Sequence, residues 1–265
     1  MENSEDHAEL YKKYETKTNV RVSIVTVCFN SEKTIERTLK SVLDQYYKNI
    51  EYIIIDGLSS DRTVEICRSY EDKFKEAGID YYIYSEKDSG IYDAMNKGVS
   101  KATGDIVGII NSDDIYEKDA AYMMAEAYDR ENFDLAFANI RMILPSGKTF
   151  IKKARVRKYT TSRDWNHPTQ FVKRSIYDEY RYKCENISDD MDFYFRVKKA
   201  GKKIIALDAV LADFTMGGVS SSIPIKEVPE RIERRYKIYR QNGYSRFYFF
   251  ECAAFEVIKY IGAKF

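Results

Sequence analysis

Short apolar runs and amphipathic stretches alternate through the first half of the chain. The apolar runs are rich in β-branched residues and have the length of strands: 20–29, 51–56, 79–85 and 105–111. Between the first two runs, Ile35, Leu39 and Val42 recur at helical spacing, with Asn30-Ser31 as the predicted helix cap. Because strands that alternate with helices build a parallel sheet covered on both faces, the pattern predicts an α/β fold.

The second half is less regular and shows no internal repeat. It predicts a hairpin, a loop, a helix, a strand and a helical end, in this order: 134–153, 154–168, 190–200, 203–214 and 229–265. We therefore expect a polar leader over residues 1–19, a main domain over 20–222 and a C-terminal helical extension over 223–265.

Composition narrows the class of protein. The chain has 265 residues with 43 Lys plus Arg against 42 Asp plus Glu, and this near-neutral balance argues against a nucleic-acid binder. Its four cysteines form no C-x-x-C pair, which favours a reducing compartment over a zinc or redox motif. Without a signal sequence or a run of membrane-spanning length, we expect a cytoplasmic protein, with attachment to a membrane surface left open.

Acidic clusters follow the predicted strands, where open α/β sheets bind ligands. Asp56 ends the second strand, residues 86–88 follow the third, and Asn111-Ser112-Asp113-Asp114 follows the fourth. Converging carboxylates need a compensating cation or hydrogen-bond donors, and oxygen ligands of this kind suit Mg²⁺ or Mn²⁺, which can bridge to a diphosphate. Single acids at strand ends are often helix caps, and we assign Asp61 and Asp119 to capping. The four-residue N-S-D-D stretch favours a metal or diphosphate role.

Several stretches, taken together and in this order, resemble inverting family 2 glycosyltransferases of the GT-A fold, particularly bacterial enzymes of polysaccharide and lipopolysaccharide assembly. The resemblance covers residues 20–221 and is carried by VSIVTVCFNSEKTIERTLKSVLDQ, IIIDGLSSDRT, EKDSGIYDAMNKGVSKATGD, NSDD, HPTQFVKRSIY and SDDMDFYFRVKKAG. It implies a Rossmann-type, mostly parallel sheet sandwiched by helices, and a nucleotide-diphosphate sugar donor, often a UDP-sugar.

The resemblance also implies the donor site. The backbone at Thr26, Val27 and Phe29 and the Asp56 carboxylate would contact the base, since a carboxylate suits the N3–H donor of uracil. The helix of GIYDAMNKG would lie beneath the donor, and its polar positions and the two residues before it are Lys87, Asp88, Asp93, Asn96 and Lys97. The alternative is that this helix only packs on the sheet while Asn96 holds a loop.

The family's D-x-D metal motif aligns with Asn111-Ser112-Asp113. The last position usually contacts the metal, so Asp113 is the implied ligand of Mn²⁺ or Mg²⁺, with Asp114 as a compensating second acid. Asn111 and Ser112 would face the donor. Asn111 in place of Asp removes one negative charge, which weakens metal binding or changes donor preference.

Asp189-Asp190 resembles the family's E-D pair, whose second acid is the general base. Asp190 is therefore the candidate that deprotonates the acceptor hydroxyl, with Asp189 beside it. The alternative is two acids favoured by the helix dipole at a helix start. On the acceptor side, His167 is either functional or structural, and Trp165 either stacks on a sugar or anchors the core or a loop.

The C-terminal segment has apolar residues at helical spacing, among them Phe250, Val257 and Ile258, with Lys259 and Lys264 nearby. It fits contact with a membrane surface, packing on the catalytic domain, or a homodimer partner. We expect a glycosyltransferase that acts on a glycan or lipid-linked acceptor, in the cytoplasm or at the inner membrane face. The alternatives are a non-catalytic nucleotide-sugar-binding scaffold and a donor hydrolase.

Overall fold

The computed structural model describes residues 18–161, 163–216 and 224–262. Its strands form one sheet in the order β3-β2-β1-β4-β8-β6-β9-β5, with β7 paired to β6. The strands are β1 (Val22–Cys28), β2 (Ile50–Asp56), β3 (Asp80–Ser85), β4 (Ile106–Asn111), β5 (Ile115–Tyr116), β6 (Leu135–Ile143), β7 (Thr149–Lys152), β8 (Phe171–Lys173) and β9 (Ile204–Thr215). β1 to β4 are parallel, whereas the second half of the sheet is mixed. The predicted α/β fold is confirmed.

Helices cover both faces of this sheet. They are α1 (Ile35–Leu43), α2 (Thr63–Arg68), α3 (Glu71–Glu76), α4 (Ile91–Lys101), α5 (Ala120–Glu131), α6 (Ile176–Glu179), α7 (Asp189–Lys199), α8 (Val228–Gln241) and α9 (Tyr248–Gly262). Most of the leader and the predicted boundary at 222/223 lie outside the described residues. Within the described ranges, no helix is both long and apolar enough to cross a membrane.

Alternation along the strands builds two cores. On β1, Val22 and Ile24 enter a core with α1 and α5, whereas Val25 and Val27 enter a second core with α4 and α7. Because successive side chains of a strand point to opposite faces, a strand buried on both faces reads as a nearly continuous apolar run. This explains why the strands of the first half could be predicted from the sequence.

Two predictions about helix ends are wrong. Asn30-Ser31 does not cap α1: the helix is preceded by Thr34, and the Asn30 amide oxygen instead accepts hydrogen bonds from Ser60. Asp119 stands before α5 but makes no capping hydrogen bond with its side chain. Asp61 does act as predicted, since its carboxylate accepts from Thr63 N at 3.0 Å.

The C-terminal stretch forms two helices, because the chain turns at Gly243 with a φ of 86°. Such a backbone conformation strongly favours glycine. α8 and α9 are joined by a buried ion-pair cluster in which Arg231 and Arg235 both bind Glu256, at 3.0 Å and 2.9 Å. Ile238 of α8 and Cys252 of α9 enter the second core, so both helices pack on the rest of the chain.

Candidate active site

The carboxyl ends of β1, β2, β3 and β4 meet at one edge of the sheet. The strand registers place Cys28 opposite Asp56, Asp56 opposite Ser85, and Val27 opposite Asn111. The acidic strand ends predicted from the sequence therefore come together as expected.

Asp56 is fully buried at this edge, and protein donors already hold its carboxylate. It accepts hydrogen bonds from Ser59 N at 3.1 Å, from the Ser59 hydroxyl, and from Ser85 Oγ at 2.6 Å. A base that binds Asp56 must therefore replace one of these hydroxyls.

The predicted base contacts of β1 differ from one another. Thr26 and Val27 lie inside the sheet, paired with β2 on one side and β4 on the other. The Thr26 hydroxyl hydrogen-bonds Tyr52 at 3.0 Å. Contact of their backbone with a base stays a prediction. Phe29 lies beyond the end of the strand and is 63% exposed next to Gly57. Its ring is placed to stack on a planar ligand.

The residues around the start of α4 form a loop that hydrogen bonds and an ion pair hold in place. Lys97 donates to the Lys87 carbonyl oxygen at 2.5 Å and pairs with Asp93 at 3.6 Å, while the Lys87 side chain is exposed. Asp88 accepts from Gly90 N at 2.9 Å and lies against Gly57. Asp88 thus connects the loops after β2 and β3.

Asn96 is committed to a structural role. Its amide donates to the Tyr182 carbonyl oxygen at 2.8 Å and accepts from Tyr182 N at 3.1 Å. Of the two alternatives drawn from the sequence, the loop-holding one therefore agrees with the structure, and donor contact by Asn96 does not.

The N-S-D-D stretch forms a tight turn, in which Asp114 N donates to the Asn111 carbonyl oxygen at 3.2 Å. Ser112 Oγ lies 2.8 Å from Ser31 Oγ, which links this turn to the loop after β1. Arg37 of α1 donates to the Asp113 carbonyl oxygen. Sequence reasoning missed Arg37, because only the folded chain brings α1 to the end of β4.

The two acids of this turn have different environments. Burial raises the pKa of Asp113, and the charge of Arg37 opposes this rise. Asp114 is 1% exposed, and burial, followed by the charge of Asp113, raises its pKa well above the usual range. Among the described residues, neither Asp114 carboxylate oxygen nor Asn111 Oδ1 has a hydrogen-bond partner.

The oxygens of this turn bear on the predicted metal. Carboxylate oxygens suit Mg²⁺ or Mn²⁺, but the described part of the chain holds no group of three or more His, Cys, Asp or Glu that could bind a metal by itself. Phosphate and water oxygens would have to complete the coordination. Asp113 is partly exposed and fits a direct ligand, whereas the burial of Asp114 argues against the predicted second ligand.

The two acids at the start of α7, Asp189 and Asp190, have different roles. Asp189 is 1% exposed and accepts from Glu185 N at 2.7 Å and from Asn186 N at 3.2 Å, so it holds the preceding loop. This corrects its assignment as a catalytic group. Asp190 is partly exposed and accepts from Met191 N at 2.8 Å.

The charge of Asp190 acts on several titratable groups. Burial raises the pKa values of Tyr92 and Tyr182 well above the usual range. The Asp190 charge adds to this rise for Tyr92, and Tyr177 followed by Asp190 adds to it for Tyr182. Burial lowers the pKa of His167, and Asp190 opposes this. Burial and then Arg235 lower the pKa of Lys152 to about 8, again against Asp190. Sequence reasoning missed Tyr92, Tyr182 and Lys152, because each comes from a different element.

The two residues predicted on the acceptor side lie in different environments. His167 Nε2 lies 3.5 Å from the Tyr182 hydroxyl, beside Asp190. Trp165 is 6% exposed and stacks on Tyr194 with ring centroids 5.4 Å apart. Trp165 is therefore a core anchor, and the prediction that it stacks on a sugar is not supported.

The start of α4 connects both halves of the site. Asp88, before the helix, lies against Gly57 at the edge formed by the carboxyl ends of β1 to β4. Tyr92, in the first turn of the helix, donates to the Ile187 carbonyl oxygen at 2.9 Å, three residues before Asp190. A ligand bound at the strand ends and a group activated by Asp190 would therefore be near neighbours. Such an arrangement suits attack by an acceptor on a bound donor.

Comparison with known proteins agrees with this geometry. Residues 23–195 match the family model described as glycosyl transferase family 2. TuaG of Bacillus subtilis, whose name assigns it to teichuronic acid biosynthesis, is 33% identical over 126 residues, which are 48% of this chain and 49% of that protein. The matched part of the chain spans about a quarter to a half of the length of the curated relatives.

Solved structures show the same fold. TarS of Staphylococcus aureus in complex with UDP-GlcNAc has a TM-score of 0.66 at 17% identity, over 91% of this chain and 72% of that one. The mannosyltransferase PcManGT of Pyrobaculum calidifontis, in complex with GDP-Man and Mn²⁺, has a TM-score of 0.63 at 14% identity, over 98% of this chain and 82% of that one. The expected glycosyltransferase fold is confirmed.

Proposed function

Since the chain belongs to glycosyl transferase family 2, we propose that it is an inverting enzyme that transfers a sugar from a UDP-sugar to a glycan or lipid-linked acceptor in cell-surface polysaccharide biosynthesis. Two likenesses support the donor and the pathway: the fold shared with a UDP-GlcNAc complex and the relative named for teichuronic acid biosynthesis. The four cysteines are free thiols, which fits a cytoplasmic enzyme.

The donor lies at the carboxyl ends of β1 to β4. Phe29 stacks on the uracil ring, Asp56 binds its N3–H after Ser59 or Ser85 turns away, and Asp88 closes the edge beside Gly57. Asp113 would hold Mn²⁺ or Mg²⁺, and the cation would supply charge neutralisation for the departing diphosphate. Arg37 fixes the backbone of Asp113 in this position.

Asp190 acts as the general base. The acceptor oxygen forms a bond to the anomeric carbon, the bond from that carbon to the diphosphate breaks, and the acceptor proton passes to Asp190. Tyr92 and Tyr182 keep their protons because their pKa values are raised. The Tyr92 hydroxyl donates to the Ile187 carbonyl oxygen at 2.9 Å and so connects α4 to the loop before α7, while the Tyr182 hydroxyl lies 3.5 Å from His167 Nε2. His167, with its lowered pKa, is neutral near pH 7 and can contact an acceptor hydroxyl.

The observation that carries this proposal is the difference between the two acids of α7. Both Asp189 oxygens are used by backbone N–H groups, whereas Asp190 is partly exposed among Tyr92, Tyr182 and His167. A carboxylate that is not needed to hold the fold, at the border of the donor edge, is positioned for proton transfer.

The test replaces Asp190 by Asn. We expect UDP binding, measured by calorimetry with Mn²⁺, to stay within about twofold, and sugar transfer to fall by about 10²–10⁴-fold. Asp178→Asn, an exposed acid on α6, is the matched control and keeps full transfer. Wild-type activity in Asp190→Asn contradicts the assigned base, and NMR of the anomeric configuration of the wild-type product tests inversion.

A second function is favoured by one observation. Asn111 stands where the family motif has Asp, and the loss of this negative charge from the metal motif fits a protein that binds nucleotide sugars without transferring them. A panel of nucleotide sugars and acceptors separates the candidates. A scaffold shows binding only, a hydrolase releases free sugar, and a transferase forms a new glycosidic bond.

A further inference from the structure

The C-terminal helix α9 has an exposed apolar face. Phe247, just before the helix, and Phe250 are 67% and 69% exposed, and Val257 and Ile258 continue the same face at helical spacing. The opposite face carries Cys252 and Glu256, which are buried against the rest of the chain. The helix is therefore already docked on one side, and its outer face is apolar.

A basic loop lies beside the start of this helix. Residues 153–163 contain five Lys or Arg and no acid. Thr160 is close enough to Tyr244 to lower the pKa of that phenol by hydrogen bonding, although burial raises it overall. Tyr244 packs on Tyr248 of α9, with ring centroids 5.0 Å apart. Loop and helix therefore form one continuous surface.

This surface, called here the basic aromatic surface, combines exposed rings with exposed cations. On the loop, Tyr159 is 69% exposed, and Lys158 lies 5.5 Å from its ring centroid. On the helix side, Arg246 lies 5.6 Å from the ring centroid of Phe247. The members of the surface are Arg155, Val156, Lys158, Tyr159, Arg163, Arg246, Phe247 and Phe250.

We infer that the basic aromatic surface docks on an anionic phospholipid bilayer. Apolar and aromatic side chains enter the boundary between headgroups and acyl chains, while Lys and Arg beside them are attracted to anionic headgroups. A second copy of this chain fits less well. In a symmetric dimer this patch would face itself and bring the exposed cations of both copies together.

The basic aromatic surface lies near the acceptor side of the candidate active site, so docking would bear on acceptor binding. His167 follows the basic loop in the sequence after a few residues. Lys259 of α9 is within electrostatic reach of Asp190: burial lowers the pKa of Lys259 to about 8, and the Asp190 charge opposes this. Docking would place the acceptor side at the bilayer. This last step rests on the proposed function and favours a lipid-linked acceptor.

Vesicle flotation tests the docking without donor or acceptor, so its failure leaves the proposed transferase standing. We expect the full chain to float with vesicles of phosphatidylcholine and 30% phosphatidylglycerol (about 0.3 mole fraction, enough for a strong surface charge) and to bind pure phosphatidylcholine several-fold more weakly. High salt should reduce binding, because it screens the cationic part of the attraction.

Two pairs of variants separate the contributions. Phe247→Ser with Phe250→Ser should reduce the partition coefficient by about tenfold or more, since two large apolar groups no longer enter the interface. Lys158→Glu with Arg163→Glu should reduce it at least about tenfold for anionic vesicles. The controls are Tyr82→Ser, an exposed aromatic residue on edge strand β3, and Lys75→Glu on α3, and neither should change binding.

Thermal unfolding of each variant checks that the fold is kept. Three results overturn the inference: no flotation of the wild type, equal binding to neutral and anionic vesicles, or equal loss in the controls. Light scattering adds a fourth. A dimer that the Phe247 and Phe250 substitutions dissociate, in a protein that does not float, would assign this face to a second copy of the chain.

Discussion

The Asp88 carboxylate lies directly against Gly57. A Cβ atom added at Gly57 would lie 2.5 Å from Asp88 Oδ2 and 3.4 Å from Cδ2 of Phe29. The loop after β2 therefore leaves room for two side chains of the donor edge only because residue 57 has no side chain. This makes Gly57 a test of whether that edge binds the donor.

Gly57→Ala should weaken UDP binding while changing the free energy of unfolding by less than about 1 kcal/mol. The atom that must move is the end of a partly exposed side chain, so displacement is cheaper than strain in a packed core. Calorimetry with Mn²⁺ and urea unfolding measure the two quantities.

Asp88→Ala provides the control for Gly57→Ala. In that background the added methyl group meets no carboxylate, so Gly57→Ala should have a smaller further effect on UDP affinity. Additive losses in the double variant would show that the two residues do not act through their contact.

Asp114→Asn should stabilise the protein near neutral pH. Burial raises the folded pKa of Asp114 above its unfolded value, so the folded state keeps the proton longer, and stability falls as pH rises through that window. Asn has the same shape and no charge. We expect a gain of about 1 kcal/mol or more at pH 7 in EDTA, which shrinks toward pH 4.

Urea unfolding between pH 4 and pH 7.5 measures this gain. Asp113→Asn is the matched control and should gain less, because Asp113 is partly exposed and Arg37 opposes the rise of its pKa. A less stable Asp114→Asn at pH 7 would mean that the ionised carboxylate has a stabilising partner in solution.

The sequence predicted the elements better than the side-chain roles. The strands buried on both faces were legible from continuous apolar runs such as 105–111, and the acid-bearing strand ends do meet. The sequence did not show the direction in which a side chain points or the groups that it contacts. Thr26 faces a core tyrosine, Trp165 stacks in the second core, and Asn96 binds a backbone far away in sequence.

Asp189→Ala should destabilise the fold, whereas Asp190→Ala should not. The first change leaves Glu185 N and Asn186 N without their acceptor, at a cost of about 1–3 kcal/mol. The second removes a side chain that accepts only from the neighbouring Met191 N. Urea unfolding checks this, and equal destabilisation by both would contradict the division of roles at the start of α7.

UDP binding should require a divalent cation held by Asp113. With EDTA, we expect the affinity of the wild type to fall at least about tenfold, since a diphosphate at an acidic edge is repelled without a compensating charge. Asp113→Ala should bind UDP equally weakly with and without Mn²⁺.

The control is Asp119→Ala. Asp119 is an acid before α5 whose side chain makes no capping hydrogen bond, so this variant should keep the metal response. Calorimetry of UDP binding with Mn²⁺ or EDTA gives the comparison. Metal-dependent binding that survives in Asp113→Ala would move the metal to other oxygens of the turn, and metal-independent binding by the wild type would remove the cation from the mechanism.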